Sequence, residues 1–294
     1  MKVILTGAYG FLGKAIANHF SGRELVRLGR SSGDLVVDLS LEIPRLPACD
    51  LVIHAAGKAH IIPKTETEKS AFQQVNVGGT ANLLAGLERA ALPKYFVFIS
   101  SVSVYGLDEG TQIDEEEPLL AKDAYGLSKI AAEEMVLAWC KKNQVVCSIL
   151  RLPLLAGTNP PGNLGAMIKA IRKGYYFNIG AGAAQRSMVL VEDVAKFIDQ
   201  VYAAGGIYHL TDGQHPSFNA LSLCISKQMN KRSLLSLPYP LIRLLAVFGD
   251  LLGGKFPITS NKLNKMTKTL TFSDQKARKQ LGWSPKPVVD NLMI

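Results

Sequence analysis

An alternation of apolar runs and helical patterns over the first half of the chain most constrains the fold. The strand-like runs lie at 3–5, 25–28, 51–54, 95–100 and 145–150, and the helical patterns at 11–20, 72–91 and 125–143. This alternation is typical of a parallel sheet with helices on both faces, and it predicts an α/β fold of the doubly wound type. Such sheets bind ligands at the carboxyl ends of their strands.

The pattern changes after about Pro153. Residues from 156 begin as a loop rich in Pro, Gly and Asn and then become helical, and the region from Phe218 onward is mainly helical. We predict a nucleotide-binding domain of the Rossmann type from residues 1–155 plus about 188–212. A smaller, mostly helical substrate domain is predicted from about 156–187 plus 213–294.

Three glycines follow the first strand at intervals of three residues, in the segment "TGAYGFLG". Gly7 allows a sharp exit from the strand, Gly10 allows backbone to approach a pyrophosphate, and Gly13 allows the next helix to pack closely. The amino terminus of that helix would face the phosphates with free N–H groups and a partial positive charge. A purely structural turn is the alternative.

The end of the second strand bears on which dinucleotide binds. An acidic residue at this point reads the ribose 2′-hydroxyl of NAD. Here Gly29 occupies the place and Arg30 follows, with Ser31 and Ser32 behind it. Because an Arg and two hydroxyls suit a 2′-phosphate, NADP is favoured over NAD, although Arg30 as a solvated loop residue stays open. Asp38 is predicted to hydrogen-bond the adenine amino group.

A serine, a tyrosine and a lysine form the strongest chemical pattern. Tyr125 and Lys129 are four residues apart and share one face of a helix that Asp123 can cap. Ser101 lies at the end of an earlier strand. Hydride transfer at a secondary alcohol requires a proton to move on the same oxygen, and a lysine ammonium lowers the pKa of a nearby tyrosine toward neutrality. The serine would polarise the substrate oxygen.

Composition and charge bound the partners. The net charge is +9, with basic residues scattered and no aromatic-interleaved basic stripe, so no nucleic acid partner is predicted. The four cysteines form no Cys-x-x-Cys pair and no signal peptide is recognised, which favours a cytoplasmic protein. No metal site is predicted, because the acidic run 114–118 is interpreted as a solvated loop. The apolar segment 235–254 is predicted to be a packed amphipathic helix, with shallow membrane contact as the alternative.

The sequence resembles the extended short-chain dehydrogenase/reductases, the family of NAD-dependent nucleotide-sugar epimerases, dehydratases and reductases. The segments that carry the resemblance are "TGAYGFLG", "VIHAAG", "VNVGGTANLL", "SSVSVYG", "YGLSK", "RSMVLVEDVA" and "ARKQLGWSPK". They span most of the chain. Together they are highly specific for the family and less specific for the reaction.

The resemblance implies roles for individual residues. It makes Ser101, Tyr125 and Lys129 catalytic, and it places Ser103, Asn163 and Arg186 at the substrate, with Arg186 clasping its diphosphate. The implied cofactor-binding residues are Gly7, Tyr9, Gly10, Phe11, Leu12, Gly13, Arg30, Asp38, Leu39, Ala55, Ala56, Gly57, Asn76, Ser100, Tyr125, Lys129 and Pro153. A homodimer through the helices at 72–91 and 125–143 is a family expectation.

Two departures from the family narrow the reaction. Dehydratases place an Asp-Glu pair directly after the catalytic hydroxyl, and Val102-Ser103 here argues against water elimination. Leu154 stands where many members carry an Asn that binds the diphosphate, and Asn163 is its predicted replacement. This combination resembles a bacterial subgroup that epimerises or reduces sugars at C4 for surface polysaccharides.

The predicted function is therefore an NAD(P)-dependent oxidoreductase or epimerase acting at C4 of a nucleotide-linked sugar, with UDP as the favoured carrier. A reductase of a non-sugar carbonyl and a non-catalytic dinucleotide-binding regulatory protein are the alternatives. His54 is expected to be a packed residue. His60, with Lys58, is either a loop residue or a contact to the sugar. Glu133 and Glu134 are expected at the surface of the catalytic helix.

Overall fold

The computed structural model describes residues 1–59, 61, 63–231, 234–251 and 259–294. Its strands are β1 (Lys2–Thr6), β2 (Glu24–Gly29), β3 (Leu35–Val36), β4 (Leu51–His54), β5 (Tyr95–Ser101), β6 (Gly110–Ile113), β7 (Val146–Leu152), β8 (Leu154–Ala156), β9 (Phe177–Ile179), β10 (Met188–Leu190), β11 (Gly206–His209), β12 (Leu235–Leu237) and β13 (Leu270–Phe272). Its α-helices are α1 (Phe11–His19), α2 (Glu66–Phe72), α3 (Gly79–Arg89), α4 (Ala124–Asn143), α5 (Gly162–Lys173), α6 (Val191–Val201), α7 (Phe218–Gln228), α8 (Tyr239–Leu251), α9 (Ser260–Thr267), α10 (Gln275–Leu281) and α11 (Val288–Asn291).

The main sheet has seven strands in the order β11-β7-β5-β4-β1-β2-β3, and every pair within it is parallel. The chain winds outward from β1 in both directions, so β1 and β4 flank the point where the strand order reverses. Crevices at this point are where open α/β sheets bind ligands. The predicted doubly wound Rossmann-type fold is confirmed.

Both faces of the sheet are covered because its strands are apolar on both sides. Val3 and Leu5 pack on one face with α1 and α6, while Ile4 packs on the other with α3 and α4. The alternation along β1 therefore divides its side chains between two cores, and its last residue, Thr6, is buried beside them.

The predicted helix at 72–91 begins earlier and changes pitch. The Thr65 hydroxyl accepts from the Glu68 N–H at 3.1 Å and so caps α2. A π-helical turn, Gln73–Gly78, then joins α2 to α3. Such turns insert a residue into the helix and recur at functional sites. This one carries Asn76.

The remaining strands form parallel pairs, which are β6–β13, β8–β10 and β9–β12. A separate core joins α5, α7 and α11 beside β8 and β10. Ala277 and Trp283, near the carboxyl end, pack in the main core next to α6. The division into two domains remains a prediction.

Among the described residues no helix is long and apolar enough to cross a membrane. The segment predicted as a packed amphipathic helix contains α8, which buries Ile242 and Ala246 against Leu263 of α9. Leu244 and Phe248 on the same helix are exposed.

Candidate active site

The glycine turn leaves β1 at the point where the strand order reverses. Gly7 has φ +69°, and a Cβ there would lie 2.7 Å from the carbonyl carbon of Ala55 and the nitrogen of Ala56, so the turn packs directly on the loop after β4. A Cβ at Gly13 would lie 1.9 Å from the Gly7 oxygen. At Gly10 the nearest atom would be 3.2 Å away, and this residue is exposed. Gly7 and Gly13 therefore allow close packing, and Gly10 presents open backbone.

The residues that follow Gly10 fit a phosphate group. Helix α1 has no side-chain cap and no acidic residue in its first turn, so its leading N–H groups face outward uncompensated. The backbone of Tyr9 and Phe11 is available on either side. Leu12 is buried in the main core, so it can contact a cofactor through backbone atoms alone.

The Gly29 position excludes a side chain. A Cβ there would lie 2.4 Å from the Ser32 oxygen and 3.0 Å from the Tyr9 ring. An acidic side chain could therefore not stand at the last position of β2 without moving the backbone around it. Arg30 is exposed beside it, and its charge helps to lower the pKa of Asp38.

Asp38 closes a tight turn. Its Oδ1 accepts from the Ser40 N–H at 2.9 Å and from the Ser40 hydroxyl at 2.7 Å, and the hydroxyl is the main cause of its lowered pKa. Leu39 is buried, and its carbonyl accepts from the Asn82 amide at 2.7 Å. Contact of Asp38 with adenine stays a prediction, and Leu39 can meet a cofactor only through its backbone.

Ser101, Tyr125 and Lys129 converge. Ser101, the last residue of β5, lies close enough to the Tyr125 hydroxyl to act on its pKa, and it donates to the Ser103 Oγ at 3.1 Å. Asp123 caps α4 by accepting from the Tyr125 and Gly126 N–H groups at 3.1 Å and 3.0 Å, as predicted. The Lys129 Nζ donates to the Ile99 carbonyl at 2.8 Å, two residues before Ser101.

The protonation of this cluster differs from the sequence-based expectation. Burial raises the pKa of Tyr125, with the Ser101 hydroxyl acting against the increase. Burial also lowers the pKa of Lys129 to about 8, which leaves it mainly an ammonium at neutral pH. The prediction of a lowered Tyr125 pKa is therefore wrong for the polypeptide alone, where burial is the largest cause of the shift.

Asn76 joins the loop after β4 to the catalytic helix. Its Oδ1 accepts from the Lys58 N–H at 2.6 Å, and its Nδ2 donates to the Ser128 Oγ at 2.8 Å on α4. A Cβ at Gly57 would lie 3.2 Å from the Asn76 Oδ1 and 3.6 Å from the Lys129 Nζ. Backbone at Gly57 therefore lies against both side chains.

His54 is packed, as expected, and it holds this loop. Its Nδ1 lies 2.6 Å from the Thr6 Oγ1, and its Nε2 lies 2.9 Å from the Thr80 Oγ1. The Thr6 Oγ1 in turn accepts from the Ala56 N–H at 3.1 Å. Burial lowers the pKa of His54 to about 3, so the ring stays neutral. His60, which was left open as a sugar contact, lies outside the described residues.

A buried polar network lies beneath the site, and the sequence analysis did not predict it. The Glu133 carboxylate pairs with Arg151 of β7 at 2.8 Å and also accepts from the Ser100 hydroxyl. The Arg151 Nη1 donates to the Tyr105 hydroxyl at 2.9 Å, and that hydroxyl lies 2.6 Å from the Nε2 of His209. The expectation that Glu133 lies at the surface is wrong, because its charge is matched by Arg151 inside the protein.

The same network bears on two further expectations. The Ser100 hydroxyl donates to Glu133, and contact of Ser100 with a cofactor stays a prediction. Glu115, in the acidic run predicted to be solvated, is buried and accepts from the His209 N–H at 2.8 Å. Burial raises the pKa of Glu115. No group of residues able to hold a metal ion occurs in the described part of the chain.

The predicted substrate residues lie in different elements. Ser103 is in the 3₁₀ turn Val102–Tyr105, Asn163 is exposed in the first turn of α5, and Pro153 links β7 to β8. The Arg186 guanidinium donates to the Lys265 and Lys268 carbonyls at the end of α9. It lies 5.6 Å from the Phe218 ring centre. Both Nη atoms of Arg186 are thus bound by backbone oxygens, since Nη1 also donates to the Gln185 carbonyl at 3.0 Å, and its role toward a diphosphate stays a prediction.

The doubly wound sheet, with a glycine turn where its strand order reverses, is typical of proteins with the dinucleotide-binding Rossmann fold. The model of the NAD dependent epimerase/dehydratase family matches residues 3–210, and the chain belongs to this family.

Two relatives are similar over much of the chain. UDP-glucose 4-epimerase of Vibrio cholerae is 27% identical over 97% of this chain and 90% of its own length. N-acetyl-alpha-D-glucosaminyl-diphospho-ditrans,octacis-undecaprenol 4-epimerase of Escherichia coli O157:H7 is 32% identical over 70% of this chain and 65% of its own length.

Solved structures share the fold. MoeE5 in complex with UDP-glucose and NAD superposes with a TM-score of 0.76, at 20% identity, over 98% of this chain and 94% of that one. RMD from Pseudomonas aeruginosa complexed with NADPH superposes with a TM-score of 0.71, at 20% identity, over 99% and 96%. The fold therefore occurs with either dinucleotide.

Proposed function

We propose that this chain is an NAD(P)-dependent epimerase acting at C4 of a nucleotide-linked sugar. The observation that carries the proposal is the convergence of Ser101, Tyr125 and Lys129 at the carboxyl end of β5. The glycine turn lies two strands away, at the end of β1. Family membership and the names of the two 4-epimerase relatives support the same reaction.

In the proposed reaction the protein manages the proton on the sugar oxygen. A bound dinucleotide would supply the acceptor and donor for the C4 hydride. The Tyr125 phenolate removes the proton from the C4 hydroxyl as the hydride leaves. It returns the proton after the 4-keto sugar has rotated to present its other face for reduction. The Ser101 hydroxyl donates a hydrogen bond to the same oxygen. The Lys129 ammonium would favour the phenolate form of Tyr125 against the effect of burial.

The dinucleotide would lie across the glycine turn. Its pyrophosphate would meet the open backbone at Gly10 and the uncapped end of α1. Ala55 and Gly57, which line the loop after β4, would face the nicotinamide half. Exposed Arg30 favours NADP, because a guanidinium matches a 2′-phosphate and Gly29 offers the ribose hydroxyls no carboxylate.

A direct assay tests the proposal. The purified protein is incubated with UDP-glucose and, separately, with UDP-N-acetylglucosamine, in the presence of NAD or NADP, and the C4 epimers are separated by chromatography. Formation of the C4 epimer from either sugar is the expected result. The proposal fails if neither sugar is converted while NADPH is consumed with a UDP-4-keto-6-deoxy sugar, because the chain is then a 4-keto reductase.

A second candidate substrate class is a sugar carried on a polyprenyl diphosphate, as named for the Escherichia coli relative. Both classes link the sugar to a diphosphate, the group that Arg186 is predicted to clasp. The exposed apolar side chains of α8 favour this candidate. Either substrate suits a role in bacterial surface polysaccharide biosynthesis.

A further inference from the structure

Helix α8 has an apolar stripe that nothing in the described structure covers. Leu241, Leu244, Leu245 and Phe248 follow the spacing that places side chains on one face of a helix. All four are exposed, Leu244 to 60% and Phe248 to 57%, and Tyr239 and Val247 beside them are exposed as well. The buried side of the helix already packs through Ile242 and Ala246. The stripe is therefore a second apolar face.

The excess of basic over acidic residues lies in the same part of the sequence. Residues 213–294 contain 12 Lys and Arg but only 3 Asp and Glu, whereas residues 1–212 contain 21 of each. The whole positive excess thus belongs to the segment that includes α8. Arg243 is exposed on α8 itself, and Lys265 is exposed on the neighbouring α9.

Helix α9 connects this face to the candidate site. Its Leu263 packs against Ile242 and Ala246 of α8, and its last carbonyls accept from Arg186. The apolar face is therefore one helix away from the residue predicted to bind a diphosphate. A substrate held in a membrane by its lipid would present its diphosphate at the surface that α8 faces.

We propose that the exposed face of α8 docks on an anionic lipid bilayer. Exposed leucines and a phenylalanine enter the boundary between headgroups and acyl chains, while Arg243 and Lys265 of α9 meet the anionic headgroups. An apolar surface alone would suit a second copy of the chain equally well. Two copies, however, would bring two strongly basic segments together, whereas an anionic bilayer neutralises them.

Cosedimentation with lipid vesicles tests the proposal on the full chain. One set of vesicles is pure phosphatidylcholine, and the other has equal parts of phosphatidylcholine and phosphatidylglycerol. We expect binding to the second set that is weaker at high salt, and an apparent affinity lower by about tenfold or more in the variant Leu244→Ser/Phe248→Ser. Arg243→Glu should weaken binding to the anionic vesicles.

A matched control distinguishes this face from general stickiness. Leu120 is exposed to 60%, as Leu244 is, but lies before α4. Leu120→Ser should leave vesicle binding unchanged, and thermal melting verifies that each variant is folded. Equal binding by the wild type and the α8 variant overturns the proposal, as does a dimer without vesicle binding that the α8 substitutions dissociate. Vesicle binding needs no turnover, so this result is independent of the proposed epimerase activity.

Discussion

The ion pair between Glu133 and Arg151 leads to a sharp prediction about stability. The Arg151 Nε lies 3.2 Å and 3.1 Å from the two carboxylate oxygens, and the Nη2 lies 2.8 Å from the Oε2. The two side chains are 2% and 5% exposed. Glu133→Gln keeps the shape of the side chain, removes its charge and leaves the guanidinium buried without a counter-ion. We expect the free energy of unfolding to fall by about 3–5 kcal/mol.

Urea denaturation at neutral pH measures this loss. Glu134 follows Glu133 on α4 but is exposed, so Glu134→Gln is the matched control, with an expected change within about 0.5 kcal/mol. Replacing both partners, as Glu133→Leu/Arg151→Met, should cost less than the two single changes together, because no lone charge remains. The reasoning is refuted if Glu133→Gln costs no more than Glu134→Gln, or if the single changes simply add.

The same variant should alter activity. Burial lowers the pKa of Lys129 to about 8, and the charge of Glu133 opposes that decrease. Without this charge, Lys129 should lose its proton at lower pH. The alkaline limb of the pH–rate profile of Glu133→Gln should therefore move toward neutrality. A purely structural loss would lower the rate without moving that limb.

Three further predictions concern the turn, the hydroxyl and the buried histidine. Tyr125→Phe should reduce turnover by about 10²-fold or more, while dinucleotide binding, measured by fluorescence, is retained. Unchanged turnover would exclude Tyr125 as the acid/base. Gly13→Ala should lower the free energy of unfolding in urea by about 1–3 kcal/mol and weaken dinucleotide binding, because its Cβ would overlap the Gly7 oxygen. Gly10→Ala should lower that free energy by less, and equal losses would contradict the packing argument. The pKa of His54 is about 3 in the folded chain and about 6.5 in the unfolded chain, so the unfolded chain binds more protons between these values and stability falls with pH below 6.5. His54→Gln should remove about 3 kcal/mol of that fall by pH 4 in urea titrations, and an unchanged fall would show that His54 is not its source.

The main sheet could be predicted because its signals are local. Apolar runs bounded by turns in the first half of the chain predicted five of the seven strands to within about two residues, whereas the short β3 at Leu35–Val36 was not predicted because two residues carry no period. Ser101, Tyr125 and Lys129 could be predicted together because a strand end and one helix turn position them.

The network below the site could not be predicted because its partners are distant in the chain. Glu133 and Arg151 are 18 residues apart, and Tyr105 and His209 are 104 apart. A glutamate on a long helix is normally solvated, and only the position of the facing strand shows that this one is not. For α8 the apolar period predicted one packed face. The structure shows that Ile242 and Ala246 form this packed face, so that the exposed stripe is a second apolar face.

Trp283 completes the main core from the far end of the chain. It packs against Phe197 at 4.8 Å between ring centres, and its Nε1 donates to the Thr211 carbonyl at 2.9 Å. On a ribosome the sheet strands from β1 to β11 emerge well before residue 283 does. Part of the main core therefore stays exposed in the nascent chain until Trp283 has been synthesised. We expect cooperative folding after the synthesis of this tryptophan rather than during the synthesis of the strands.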